Sequence, residues 1–203
     1  MKILQTKTAP NPRRVRVFLA EKGIEVPYEE LDLMQGALKT PEFTSLNRFQ
    51  RVPVLILDDG TAIAETMAIC RYFEETKHEP ALLGKGAKQR AVIEMWNRRM
   101  ELGLLFSVAQ AFRHLHPAAA PLEVPQVAAW GEANKPRALE ILQFMDDELG
   151  KRRFIAGEDY SVADITALVA VDFARVARIQ RSEGHKNLAR WHAEVSARPS
   201  AKA

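Results

Sequence analysis

Short apolar runs alternate with amphipathic stretches over the first third of the chain, whereas everything after about residue 85 carries its apolar positions at helical spacing. Ile3 and Leu4 predict a short first strand, and Thr8-Ala9-Pro10-Asn11-Pro12 a turn after it. Over 13–22, Val15, Phe18, Leu19 and the aliphatic stem of Lys22 recur with the helical period, and Gly23 supplies the stop. Residues 28–33 alternate like a strand. Thr40-Pro41 opens a short helix to about residue 46, with proline at its first helical position. A buried strand follows over 52–57, then a hairpin turn at Asp58-Asp59-Gly60, a return strand over 61–63 and a helix over 64–75. The expected order is β-α-β-α-β-β-α within residues 1–77.

Residues 78–86, with Pro80, Gly84 and Gly86, read as a linker. Beyond it, 87–203 predicts only helices: a long one over 87–114, a loop at 117–121, and a helix over 124–149 in which Pro136 should leave a kink or break. The helix over 161–178 is apolar on most faces and is therefore expected at the centre of this part. A last helix covers 187–197. The fold class that follows is a small α/β domain joined to an all-α domain.

Composition narrows the function. With 203 residues, 47% hydrophobic and 27% charged, the chain has the make-up of one or two folded domains, not of a disordered segment. The net charge is only +3, acidic and basic residues balance over 1–77, and the short basic clusters come without a recognition motif, so they read as solvated faces and no nucleic-acid partner is expected. The start of the chain lacks the apolar stretch of a secretory signal, and no window approaches the ~20 apolar residues of a membrane span. A single cysteine, Cys70, rules out an internal disulfide or a Cys-x-x-Cys redox pair and fits a reducing compartment. The expectation is a cytoplasmic protein without a membrane partner. Cys70 lies inside a predicted helix and reads as a packed thiol, so thiol chemistry would need a borrowed sulfur.

Three places carry candidate chemistry. Proline donates no ladder hydrogen bond, so Val52-Pro53 at the head of a strand is either an edge strand with a trans bond or a cis turn that leaves the Val52 N–H and C=O for a peptide-like ligand. Glu65-Thr66 follows the hairpin and opens a helix, whose free N–H groups and positive dipole end favour a carboxylate. Glu65 would meet an ammonium there, and an α-amino-acid head group needs both contacts at one place; an ordinary helix cap with a solvated acid is the alternative, and the residues by themselves favour it. Ser161 and Asp164 form a capping box that starts the central helix and reads as structural. His114-x-His116 is a poor metal pattern, since an offset of two diverges on a helix and no third ligand is apparent. No metal is expected.

Taken in order, residues 9–23 (APNPRRVRVFLAEKG), 40–43 (TPEF), 51–55 (RVPVL), 59–66 (DGTAIAET) with Ile69 to Tyr72, and 154–165 (FIAGEDYSVADI) resemble the glutathione transferase family over nearly the whole chain. The resemblance implies a thioredoxin-like N-terminal domain, an all-helical C-terminal domain, glutathione as co-substrate, a role in detoxification and a homodimer. It is nearest to bacterial and fungal branches that lack the catalytic Ser, Tyr or Cys. It assigns the cysteinyl backbone contact to Val52 with Pro53 cis and the γ-glutamyl head to Glu65 and Thr66, puts Lys39 near the position whose basic side chain meets the glycine carboxylate, and puts Arg51, also in the glutathione site, where a Gln is common. Arg48 and Gln50 replace the Pro and Gly that commonly follow Asn47. Ala9 stands where many relatives carry the activating Ser, which leaves the Asn11 amide and the N–H groups of the first helix to stabilise a thiolate.

Phe106, Gln110, Arg113 and His114 fall on one face of the long helix and are expected to wall a pocket for the second substrate, with Arg113 or His114 polarising a water or an acidic substrate. A partly exposed surface face is the alternative. Three functions stay open: transfer of glutathione to a hydrophobic electrophile, reduction of a disulfide or hydroperoxide with the same thiolate, or ligand binding without catalysis.

Overall fold

The computed structural model describes residues 1–203, which cluster into two compact units, Met1–Pro80 with Ala203 and Ala81–Lys202. The first holds a four-stranded sheet and three helices; the second is helical. No helix is long and apolar enough to cross a membrane.

In the first unit the order along the chain is β1 (Lys2–Gln5), α1 (Pro10–Lys22), β2 (Tyr28–Glu30), a 3₁₀ turn (Ala37–Lys39), α2 (Pro41–Leu46), β3 (Val54–Ile56), β4 (Ala62–Ala64) and α3 (Thr66–Thr76). The strands lie in the order β2-β1-β3-β4. β1 pairs in parallel with β2, as the intervening α1 crossover requires, and antiparallel with β3, which pairs antiparallel with β4 across the hairpin. Side chains alternate accordingly. Leu4 and Val54, partners in register, pack with Phe43 and Val52 on one face, while Ile3 and Leu55 face the other way and are as deeply buried. α1 and α3 pack on each other.

The boundary between the two units, at Pro80 and Ala81, falls within residues 78–86, and the chain on its first side is held in place. Lys22 Nζ is buried and ion-paired with Glu74 at 2.6 Å, and it also donates to the carbonyls of Lys77, His78 and Pro80. An ammonium carries three donors, so this buried charge is fully satisfied and ties the chain leaving α3 to the end of α1. Leu82 and Leu83 are buried, and the Leu82 carbonyl accepts from Val162 N–H at 3.0 Å.

The second unit comprises α4 (Gly86–Arg98), a π-helical stretch (Arg99–Leu105), α5 (Phe106–Leu115), α6 (Ala128–Leu149), α7 (Val162–Val176) and α8 (Lys186–Ser196). The expected long helix is therefore one run with a π-helical middle, for which the sequence carries no signal. α6 starts later than expected and runs through Pro136 without a break. Pro136 is exposed, so the carbonyl that loses its partner meets water. α7 is the centre, with ten buried residues in succession or nearly so.

Its start depends on Asp164, which is 0% exposed. The carboxylate accepts from Ile155 N–H, Ser161 N–H, Ser161 Oγ–H and Trp191 Nε1–H, and Ser161 Oγ completes the capping box. Burial pushes its pKa up to about 6, against the pull of those four donors. Asp164→Ala would strand three buried N–H donors and is expected to lower the unfolding free energy by roughly 3–5 kcal/mol in urea melts. The unfolded carboxyl ionises first, so the unfolded chain binds fewer protons between about pH 4 and 6, and this group's contribution falls as pH rises through that window. The stability of the wild type relative to Asp164→Asn should decline over the same range; a rise would contradict the assignment.

Candidate functional site

Strand direction brings four segments of the first unit to one end of the sheet. β1 and β2 are parallel and both finish there, with Gln5 opposite Glu30. β3 runs the other way and begins there, and β4 finishes there, Ala64 opposite Val54. The turn holding Ala9 and Asn11, the loop to Lys39, the Arg51-Val52-Pro53 approach and Glu65-Thr66 all leave from this end, which is the usual place for a ligand crevice beside parallel strands.

The turn after β1 is braced from below. Arg16, buried in α1, donates to Gln5 Oε1 at 2.7 Å and to the Lys7 carbonyl at 2.8 Å, and Lys7 N–H donates to Glu30 at 2.9 Å. Ala9 caps α1 with no side-chain hydrogen bond. The expectation that the helix N-terminus supplies several N–H donors is corrected: Pro10 and Pro12 have none, and Arg13 N–H is spent on the Ala9 carbonyl. Asn11 is left as the donor. It is exposed, and its Oδ1 accepts from Arg14 Nη1 at 3.1 Å, so the amide NH₂ faces away from Arg14 and is free. Arg14 is 2% exposed and places a buried positive charge behind that amide. Nothing in the spacing singled it out except its offset of three from Asn11.

Before β3 the chain is clamped by Asn47, whose Nδ2 donates to the Arg51 carbonyl at 2.9 Å and whose Oδ1 accepts from Phe49 N–H. Gln50 takes φ 53, a left-handed conformation that a glycine would take more easily. The Val52-Pro53 bond is cis. Val52 N–H and C=O make no hydrogen bond within the protein, which in a residue only 9% exposed is an unfilled backbone pair of the kind an added strand would satisfy.

Glu65 sits between β4 and α3 at φ 70, ψ 122, a conformation costing of order 1–3 kcal/mol for a residue with a Cβ. The expected helix from residue 64 therefore starts at Thr66. The strain turns the Glu65 carboxylate outward, exposed and without a protein partner, next to the open N-terminus of α3 and the Thr66 hydroxyl. Lys39 is exposed with a free ammonium, and exposed Arg51 donates to the Gln50 carbonyl. Cys70 is 1% exposed. No group of three or more His, Cys, Asp or Glu is placed to hold a metal ion.

The four residues of the predicted pocket wall lie in the second unit, on α5. Three of them hold the following segment. Gln110 Oε1 accepts from Trp130 Nε1–H at 2.9 Å, Arg113 pairs with Glu123 and donates to the Leu122 carbonyl, and His114 Nδ1 accepts from Val127 N–H at 3.0 Å. Gln126 returns two hydrogen bonds to the carbonyls of Arg113 and His116. The Arg113 guanidinium is thus occupied, while His114, assigned the Nε2–H tautomer by that bond, keeps Nε2 4.0 Å from Glu123. Phe106 remains 46% exposed. Glu123, Gln126 and Trp130 carried no signal in the sequence, because their partners are ten or more residues away.

Comparison with known proteins gives a consistent picture. The model for the glutathione S-transferase N-terminal domain matches residues 8–76, and that for the C-terminal domain matches 95–199. Glutathione S-transferase 2 of Saccharomyces cerevisiae is 38% identical over 205 residues, covering 100% of this chain and 88% of its own length. Among solved structures, a glutathione S-transferase domain-containing protein of Marinobacter aquaeolei VT8 superposes with a TM-score of 0.96 at 40% identity, covering 98% of this chain and 99% of that one. Gtt2 from Saccharomyces cerevisiae superposes at 0.95 and 38% identity, covering 100% and 99%.

The strain at Glu65 has a measurable sign. Glycine ordinarily destabilises an ordered position by roughly 0.5–1 kcal/mol relative to alanine, but here it removes the penalty of a positive φ. Glu65→Gly is expected to be more stable than Glu65→Ala by about 1 kcal/mol in urea denaturation; the reverse order would refute the strain.

Proposed function

The chain belongs to the glutathione S-transferase family, and from that premise we propose that its first unit binds glutathione at the end of the sheet and presents the thiolate to a hydrophobic electrophile. The observation that carries the reading is the meeting, at one sheet end, of an unfilled Val52 backbone pair with a free Glu65 carboxylate beside an open helix N-terminus. Glutathione carries the complement of each. Its cysteinyl N–H and C=O pair with Val52, its γ-glutamyl ammonium meets Glu65, and its γ-glutamyl carboxylate meets Thr66 and the first N–H groups of α3. The glycine carboxylate at the other end of the tripeptide lies toward the cations Lys39 and Arg51.

The sulfur then falls to the turn before α1. An unperturbed thiol has a pKa near ~8.5, and the Asn11 amide and backbone N–H, with Arg14 behind them and the α1 dipole, stabilise the thiolate in place of a hydroxyl at Ala9. The thiol proton leaves to solvent. The sulfur lone pair forms a C–S bond, and the displaced group departs with its bonding electrons. Holding the two reactants together supplies much of the rate. A second reading, reduction of a disulfide by the same thiolate, is favoured by one feature: Cys70 is buried, so no protein thiol competes for a mixed disulfide, and a second glutathione would complete the exchange.

Two measurements test these roles. A charge-assisted hydrogen bond is worth roughly 1.5–3 kcal/mol, so Asn11→Ala is expected to lower kcat/KM for an aryl halide near neutral pH by about 10- to 150-fold and to shift its pH profile alkaline. Unchanged activity and profile would remove Asn11 from the mechanism. The same pair of proteins assayed with a mixed glutathione disulfide ranks the two reactions. For binding, glutathione at 100 times Kd should stabilise the wild type by ~2.7 kcal/mol, and Glu65→Ala should lose most of that shift. A full shift in Glu65→Ala would refute the head-group assignment, and no shift in the wild type at millimolar glutathione would overturn the function itself.

A further inference from the structure

Between α5 and α6 the chain crosses 116–127 as a strap in which Ala119 alone is buried. The helices on either side of it are in close contact: at Gly131 of α6 a Cβ would meet Leu115 Cγ at 2.6 Å and His114 Cβ at 3.1 Å. The strap thus runs between packed ends, and with so few buried apolar contacts of its own it depends on polar side chains to stay in place.

Arg113 pairs with Glu123 and donates to the Leu122 carbonyl, and Gln126 donates to the carbonyls of Arg113 and His116. The remaining ties are imidazoles acting as acceptors. Val127 N–H donates to His114 Nδ1 at 3.0 Å, just before α6, whose N-cap has no side-chain hydrogen bond of its own. Ala118 N–H donates to His116 Nδ1 at 3.2 Å, which caps the 3₁₀ turn over Pro117–Ala119. Each bond needs a ring nitrogen with a lone pair. A protonated imidazole has two donors and no acceptor, so on a histidinium each of these contacts becomes one N–H facing another. Of the charges about the rings, Glu123 favours protonation, with Oε1 4.0 Å from His114 Nε2, but it is already paired with Arg113. Arg113 itself and the positive end of α6 oppose it. On the elements packed against α5, Glu101 is paired with Arg98, Glu132 with Lys135 and Asp172 with His192. Phe112 stacks on the His116 ring.

We propose that residues 116–127 form a pH-sensitive strap, closed on α5 while His114 and His116 are neutral and released when they take up protons. The closed form binds neither proton and the open form binds both from solvent, so acid favours opening. Release parts Glu123 and Leu122 from Arg113, so α5 presents an occupied guanidinium near neutral pH and a free one in acid. An imidazole free in water titrates near ~6.5, so one pH unit below that each histidine shifts the strap toward its open form by roughly tenfold.

Hydrogen–deuterium exchange of the full chain, read by mass spectrometry at about pH 7.5 and about pH 5.5 and corrected for the intrinsic rate at each pH, tests the strap directly. The expected result in the wild type is a loss of protection of roughly tenfold or more at the lower pH in peptides spanning 116–127. Peptides of α7, which follow Asp164 and overall stability, should change less. In His114→Asn/His116→Asn an amide oxygen replaces each Nδ1 and takes up no proton, so the strap should stay protected at both pH values. His114→Ala/His116→Ala should be open at both. Equal protection of the wild-type strap at both pH values, an equal loss across α7, a pH response that survives in the Asn variant, or full protection in the Ala variant would each overturn the proposal. The wild-type comparison needs no variant.

Discussion

The register of β3 between its neighbours is the constraint on which the first unit depends. Leu4, Val54 and Ala64 stand side by side across three strands; a one-residue slip of β3 would send Val54 and Val52 to the face now filled by Leu55 and set Leu55 against Phe43, so the packing on both buried faces would be lost. With the register held, the direction of each strand decides the rest. Two strands end and one begins at the edge where β4 also ends, so a turn, a loop, a backbone pair and a helix N-terminus must share that edge. The polar network of Arg16, Gln5 and Glu30 and the clamp at Asn47 then fix the loops that the sheet has brought there.

The chemistry of the site follows from what those loops lack. Ala9 offers no hydroxyl, two prolines remove N–H donors from the start of α1, and the single cysteine is packed inside α3. In the proposed mechanism Asn11 serves the sulfur with its backbone and side-chain donors, and its amide is oriented by a buried arginine. The helical unit solves a different problem with similar means. Its central helix is buried over most of its length, and such a helix can begin inside protein only if its first N–H groups are met. Asp164 and Ser161 meet them and, through Trp191, join α7 to α8.

Much of the fold was legible in the sequence because it rests on local signals. The β-α-β-α-β-β-α order came from periodicity and turn residues, and Thr40-Pro41, Gly23 and Ser161-Asp164 marked helix ends that the structure places where their capping chemistry requires. The misses share a cause. The π-helical stretch in the long helix and the unbroken passage through Pro136 are set by packing with partners distant in the chain or by solvent, neither of which a local pattern encodes. For the proposed site, motif order singles out Glu65, Thr66, Val52 and Asn11, whose segments the sheet brings to one end. It does not single out Arg14, nor the use of Arg113 and His114 to hold 122–127, because both depend on which side chains the folded backbone brings within reach.

In the proposed function a tripeptide brings the sulfur this chain withholds, laid along Val52 with its head at Glu65. A crystal structure of the protein with glutathione tests this most directly. The expected complex has paired hydrogen bonds between the cysteinyl residue and Val52, the γ-glutamyl carboxylate on the α3 N-terminus, and the sulfur within hydrogen-bond reach of Asn11 Nδ2 or its backbone N–H. Glutathione bound elsewhere, or bound there with its sulfur turned away from Asn11, would contradict it.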